Sequence, residues 1–298
     1  MSIPQYEIYH ENKKHTSPEF PYNTYICTIP LDFFAVPTHW HKEVEIIVIK
    51  KGTGKIAVEL VSVEVSAGDI IFVLPGQLHS IEQKDSLSME YENIFFKPAL
   101  LTSIDQDFCY NEFLQPLFGG VIDFPFHITP EHLCYIDLKT CIQQIDNLCS
   151  MRPKGYQLAI KGLLFQIFFL ITSHHPVKTM QPKEKKALDK LKLVLSYIQE
   201  HYSRPISIKE ISEVCFYSES HFMKFFKDCM GTSFTQYLNE YRLQVAAQLL
   251  KEHKDNILDV AIASGFENLS YFNRAFKKKY GITPGQYRKP GSTATNIP

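Results

Sequence analysis

Apolar positions change their period along this chain, and the changes divide it. Between about Thr24 and Phe96 they fall in short β-rich runs, Val44–Ile49, Lys55–Val65, Asp69–Leu74 and Leu87–Phe96. Gly52/Gly54, Gly68 and Pro75–Gly76 punctuate these runs. Evenly spaced short strands with turn residues between them predict a sandwich or barrel. After Pro130 the period becomes helical. Leu133, Ile136, Leu138, Cys141, Ile142, Ile145 and Leu148 mark one apolar face, and Tyr156–Thr172 forms a second helix. That helix is apolar nearly all round, so it needs cover on more than one side, from the barrel or from a second subunit. Its longest apolar run, Leu163–Thr172, is interrupted by Gln166 and falls short of the roughly 20 residues of a membrane span. His174–His175–Pro176 ends the pattern, and Lys178–Lys186 has the polar, charged, proline-containing composition of a linker.

Beyond the linker the chain repeats itself. A shift of 50 positions superposes Ser220 on Ser270, Phe222 on Phe272, Phe226 on Phe276, Lys227 on Lys277, Gly231 on Gly281 and Tyr237 on Tyr287. Such a period implies a duplicated supersecondary unit. Each copy reads as helix, tight turn, helix. In the first, Ser207–Val214 is the short helix, with Ser207 and Glu210 as a capping box, and Ser218 caps Glu219–Met230. In the second, Ile257–Ser264 is the short helix, Gly265 makes the turn, and Asn268 caps Leu269–Tyr280. Phe222/Phe226 and Phe272/Phe276 mark the buried faces, leaving Lys224/Lys227 and Arg274/Lys277/Lys278 exposed. A helix-turn-helix presents its second helix to the DNA major groove. Phe234–Lys251 between the copies reads as one helix of roughly 27 Å, a length that suits two reading helices about one DNA turn (roughly 34 Å) apart.

Charge follows the same division. The chain of 298 residues has a net charge of −1, but residues 1–182 carry −7 and residues 183–298 carry +6. A basic module joined to an acidic one suggests a polyanion-binding half tethered to something else. The seven cysteines include no CxxC pair, which argues against a disulfide scaffold or zinc ribbon and for reduced, packed thiols. The N-terminal MSIPQYEIYHENKKH has no apolar core for a signal peptide, so a soluble cytoplasmic protein without a membrane partner is expected.

Within the barrel stand His39-x-His41, Glu45, Gly52, Gly68–Asp69, Pro75–Gly76 and His79. The spacing resembles the two sequence motifs of the cupin superfamily, the second slightly irregular. His39 and His41 at i, i+2 share a strand face, and Glu45 and His79 can converge on it. Three readings follow. The cluster is a metal first shell, or the polar floor of a ligand pocket with Trp40 or Tyr25 available for stacking, or plain packing. The rest of the chain favours the pocket, with no metal and no cofactor.

Ser218-Glu-Ser-His-Phe-Met-Lys-Phe-Phe-Lys227, Phe234-Thr-Gln-Tyr-Leu-Asn-Glu-Tyr-Arg242, Ala261-x3-Gly265-Phe266, Ser270-Tyr-Phe-Asn-Arg-Ala-Phe-Lys-Lys278 and Gly281-Ile-Thr-Pro-Gly-Gln-Tyr-Arg288 together resemble the AraC/XylS family of bacterial transcription regulators. The N-terminal half resembles the cupin-like effector and dimerisation domain that many members carry. The resemblance implies an α+β chain of two domains: a barrel with trailing helices over 1–175, a linker over 176–188, and an all-α DNA-binding domain over 189–290. The two helix-turn-helix units of that domain fall at about 207–230 and 257–280. It places DNA contacts on Ser218, Ser220, Met223, Lys224 and Lys227, and on Asn268, Leu269, Ser270, Asn273, Arg274 and Lys277. Arg274 suits guanine, Asn273 suits adenine, and Met223 and Leu269 suit a thymine methyl. The expected partners are promoter half-sites in double-stranded DNA, RNA polymerase, a second copy of the chain through the 130–175 helices, and a small polar effector, a sugar. The expected function is a non-enzymatic regulator, an activator. The alternative is a metal-dependent cupin enzyme with a DNA-binding tail. One departure stands out. Cys215–Phe216 replaces the family's turn glycine and Ser212 its small Ala, and Phe at positive φ costs of the order of 1 kcal/mol.

Overall fold

The computed structural model describes residues 19–32, 35–102, 107–175, 178–179, 182–252 and 256–288. The N-terminal stretch read for a leader, residues 176–177 and 180–181 of the linker, and 289–290 at the end of the DNA-binding domain lie outside them. The described chain divides into two compact units, with the boundary in sequence between Lys185 and Lys186.

The first unit is an antiparallel sheet followed by helices. Its strands are β1 (Tyr22–Ile29), β2 (Ala35–His39), β3 (Val44–Val58), β4 (Val61–Ser66), β5 (Ile70–Val73), β6 (His79–Gln83), β7 (Met89–Phe96), β8 (Ile122–Asp123), β9 (His127–Ile128) and β10 (Lys178–Thr179). The order is β1-β7-β3-β5-β9. The far half of β3 also pairs with β4 and β6, β6 pairs with β2, and β10 pairs with β8 in a separate two-stranded sheet. β3 therefore serves two pairings along its length, with Val44–Gly52 against β7 and Thr53–Val58 against β4. It runs straight through Gly52 and Gly54, which the sequence marks as breaks. Gly52 has φ +76, and a Cβ there would overlap the Ser88 carbonyl oxygen, so glycine lets β3 pass beneath the turn into β7.

Both faces of the central strands are covered, which is why Ile46–Ile49 reads as a continuous apolar run rather than an alternating one. Ile47, Ile49, Ile71, Val73 and Tyr91 point into the barrel with Ile29, Ile56 and Ile81. Val44, Ile46, Ile70, Phe72, Ile94 and Phe96 point outward against the helices. A π-helical turn (Tyr110–Leu114) leads into α1 (Gln115–Phe118), and α2 (Tyr135–Met151) and α3 (Tyr156–His174) follow. α2 buries Leu138, Cys141, Ile142 and Ile145, a clean i, i+3, i+4, i+7 stripe, while Leu133 and Ile136, expected on the same face, are exposed. Leu133 precedes the helix, and Ile136 lies off that stripe. α3, at 19 residues, is long and apolar enough to cross a membrane, a length that the broken run Leu163–Thr172 understates. Its Ile160, Leu164, Ile167, Phe168, Leu170 and Ile171 belong to the core shared with the outer sheet face and α2.

The second unit is all helical: α4 (Pro182–His201), α5 (Ile208–Val214), α6 (Glu219–Met230), α7 (Phe234–Glu252), α8 (Ile257–Ala263), α9 (Leu269–Tyr280) and α10 (Pro284–Tyr287). α4 begins inside the stretch read as linker. Its charged start is made of good helix formers, and Leu188, Leu191, Leu195 and Ile198 bury one stripe.

Candidate functional site

Two sites take shape, one in each unit. In the helical unit the repeat is structural as well as sequential. Ser218 accepts from the His221 backbone N–H and Asn268 from that of Tyr271, and Gly231 and Gly281 close α6 and α9 at φ +68 and +75. Ring geometry recurs too. Phe226 meets Tyr237 edge-on at 5.4 Å and Phe276 meets Tyr287 at 5.3 Å. Thr283 caps α10 in a capping box, as Ser207 caps α5 with Glu210.

Of the residues expected at DNA, Ser218, Ser220, Met223, Lys224 and Lys227 on the first copy are exposed, as are Asn268, Leu269, Ser270, Arg274 and Lys277 on the second. Asn273 is half-buried. The side-chain oxygens of Ser218 and Asn268 are committed to capping, which leaves the Ser218 hydroxyl hydrogen and the Asn268 amide NH2 to reach a partner. The exposed side chains of each copy follow its cap on one helix, and helix N-termini with basic flanks suit base edges and phosphates.

The two turns differ. Gly265 has φ +88, and a Cβ there would overlap the Tyr202 carbonyl oxygen and lie 2.8 Å from Arg242 Nε. Arg242 itself donates to the carbonyls of Tyr202 and Arg204 at 2.8 and 2.7 Å. In the first copy Phe216 takes φ +58 with its ring 86% exposed. Lys190 of α4 donates to the Cys215 carbonyl at 2.7 Å and lies 3.7 Å from the centre of the Tyr217 ring. The left-handed turn forms without glycine because it faces open space and a lysine braces it. Lys190, Tyr202 and Arg242 were not singled out from sequence for these roles; the α4 stripe was the signal available for Lys190.

In the sheet unit, His39 of β2 pairs directly with His79 of β6, and His79 also with Val58 of β3. Glu45 sits on β3, on the inward face with Ile47 and Ile49. The structure brings the four together. The rings of His39 and His79 are 4.0 Å apart and those of His41 and His79 4.9 Å. Glu45 Oε2 lies 3.2 Å from His41 Nε2 and 3.0 Å from His79 Nε2. All four side chains are buried, none more than 4% exposed. Each imidazole is anchored by its other nitrogen. Nδ1 of His39, His41 and His79 lies 2.9, 3.1 and 3.0 Å from the carbonyls of Pro37, Glu43 and Gln77. Burial, then the neighbouring His79 and His41, hold His39 well below the usual imidazole range. Burial alone would raise the Glu45 carboxyl, but the imidazoles of His41 and His79 together outweigh it and hold it below the usual range. Tyr25 on β1 is a step removed. It stacks on Phe95 at 5.6 Å, and Phe95 in turn meets His41 edge-on at 5.3 Å. Trp40, half-buried between the two histidines, lies on the other side of the alternating backbone. Phe95, the link between Tyr25 and the cluster, carries no sequence signal of its own.

Each unit overlaps the model of a known protein family. Residues 30–133 match the family described as AraC-like ligand binding domain, and residues 211–290 the family described as Helix-turn-helix domain. An uncharacterized HTH-type transcriptional regulator of Bacillus subtilis, YdeC, is 25% identical over 285 residues, covering 95% of this chain and 96% of that one. Another, SAR0107 of Staphylococcus aureus, is 26% identical over 234 residues, and the chain spans only 31% of its length. A crystal structure of ToxT from Vibrio cholerae shares 16% identity, covers 90% of this chain and 98% of that one, and gives a TM-score of 0.46.

Proposed function

We propose, for a chain that belongs to the AraC family of DNA-binding transcriptional regulators and carries a ligand-binding domain, that its two reading helices bind adjacent major grooves of a promoter site and that its barrel senses a small polar effector. The observation that carries this reading is the repeated geometry of α6 and α9, with matching caps and matching ring contacts behind and a basic exposed face in front. In this reading Arg274 takes guanine O6 and N7, and Asn273 takes adenine. Met223 and Leu269 meet thymine methyls, and Ser220 and Ser270 reach base edges or phosphates. Lys224, Lys227 and Lys277 neutralise phosphate.

The buried His39, His41, Glu45 and His79 form the floor of the effector site, with Tyr25 and Trp40 at its margin, and the effector is a sugar. Exposed Leu133, Ile136 and Met151 on and beside α2, and Leu158 and Phe169 on α3, are apolar side chains without cover in one chain. They support a homodimer through these helices on paired half-sites. The regulator acts in the cytoplasm as an activator that contacts RNA polymerase, and no turnover is assigned to the barrel. An effector shifts DNA binding only by favouring one arrangement of the chain over another.

Selection of a binding site from random duplexes, followed by titration, tests the reading. Arg274→Ala is expected to weaken the selected site by about 1–3 kcal/mol and to relax preference at one base pair. An unchanged affinity and an unchanged preference would remove α9 from the groove.

A further inference from the structure

We propose that Lys190 of α4 is a positioning residue for DNA reading by α6: it fixes the turn from which that helix starts, and so the bases α6 can read. This rests on the reading of α6 and α9 as the two DNA-reading helices. Three observations carry it. First, the two turns share one backbone scheme but not one support. Phe216 and Tyr217 donate to the carbonyls of Glu213 and Ser212 at 3.1 and 2.9 Å, as Gly265 and Phe266 donate to those of Ile262 and Ala261, both at 2.9 Å. In the second copy the turn is packed. Phe266 is buried with its ring 5.1 Å from that of Phe272, and Gly265 lies against the Tyr202 carbonyl. In the first copy Phe216 stands in the open, and Lys190 donates to the Cys215 carbonyl at 2.7 Å.

Second, the same ammonium group lies 3.7 Å from the centre of the Tyr217 ring. That ring rests on α6, 4.1 Å from the His221 ring and 5.2 Å from the Phe225 ring. One cation therefore holds a carbonyl and a ring on either side of Phe216. The ring carries the constraint to the first two turns of α6, where Ser220, Met223 and Lys224 stand. Third, α4 grips the other end of α5 as well. Tyr197 lies seven residues beyond Lys190, two helical turns along the same face of α4. Its hydroxyl donates to Glu210, which also accepts from Arg204 at 2.6 Å and completes the capping box of α5. Ties at Glu210 and Cys215 hold α5 near both ends, so it and the turn after it form a fixed base for α6.

The test uses the full chain and the duplex it selects from random sequence, with every base pair of that site then varied singly. Lys224→Ala marks the base pairs read by α6, and Arg274→Ala marks those read by α9. Lys190→Met keeps an unbranched stem but removes the donor and the charge. It is expected to lower discrimination by about fivefold or more at the first set and to leave the second within about twofold of wild type. Lys190→Arg, which keeps both donor and charge, is expected to restore it. Circular dichroism checks the fold, and Tyr217→Leu replaces Lys190→Met if that variant does not fold. Equal loss at both sets, wild-type discrimination at the first, or failure of arginine to restore it overturns the proposal. If neither Lys224→Ala nor Arg274→Ala alters a preference, the assignment of the reading helices falls, and the proposal with it.

Discussion

Gly265 sits where the chain leaves α8 beneath the Tyr202 carbonyl and beside Arg242. Two requirements coincide there, a positive φ and the absence of a side chain. Gly265→Ala adds about 1–2 kcal/mol for the left-handed backbone to the displacement of Arg242, whose hydrogen bonds hold the carbonyls of Tyr202 and Arg204. A loss of at least about 2 kcal/mol is expected in denaturant unfolding, and a loss below about 0.5 kcal/mol would show that the turn relaxes freely. The glycine was legible because turns of this kind favour it. Its second reason was not, since Tyr202 and Arg242 lie 63 and 23 positions away in sequence. Phe216 shows the converse. A bulky residue accepts the same backbone where nothing stands above it.

At the scale of elements, α2 is joined to the sheet by more than its apolar stripe. Lys50 on β3 meets Glu92 on β7 at 2.5 Å and Asp146 on α2 at 3.4 Å, and Thr24 donates to Glu92 at 2.8 Å. Burial, then the charge of Glu92, push the Asp146 carboxyl up to about 6 in spite of Lys50. A folded state that holds this proton more tightly than the unfolded chain loses stability as pH rises from about 4 to about 6. Asp146→Asn abolishes that contribution. The stability of the wild type relative to the variant should therefore fall across this window and level off above it, in unfolding curves taken at half-unit steps. A constant difference would refute the burial argument. Helices and strands were legible as types from their periods, but their faces less so. Ile136 joined the expected stripe because an apolar count does not fix the helix's phase against a sheet, and the ion trio was invisible because its members come from three separate elements.

For the molecule as a whole, charge is the coarsest and most readable signal. The excess of +6 beyond residue 182 coincides with the helical unit, so duplex binding should weaken steeply with salt. Lys227→Ala and Lys277→Ala should each reduce the slope of log K against log salt by about 0.9 if each neutralises one phosphate. Slopes equal to the wild type would place these lysines away from the backbone. The doubled reading unit was legible because a 50-residue repeat survives as identities at buried aromatics and caps. The barrel cluster was legible only as a list of residues. Its character depends on which ring nitrogen each backbone carbonyl claims, and those carbonyls belong to Pro37, Glu43 and Gln77, each two positions from its histidine. The helix between the two reading units has a consequence of its own. α7 joins them with 19 residues, about 28 Å, without a glycine or proline. Each residue of a helix turns the chain by about 100°. Inserting one residue into α7 would swing the second unit more than a quarter-turn out of phase with the first, whereas four would return it nearly to alignment about 6 Å further on.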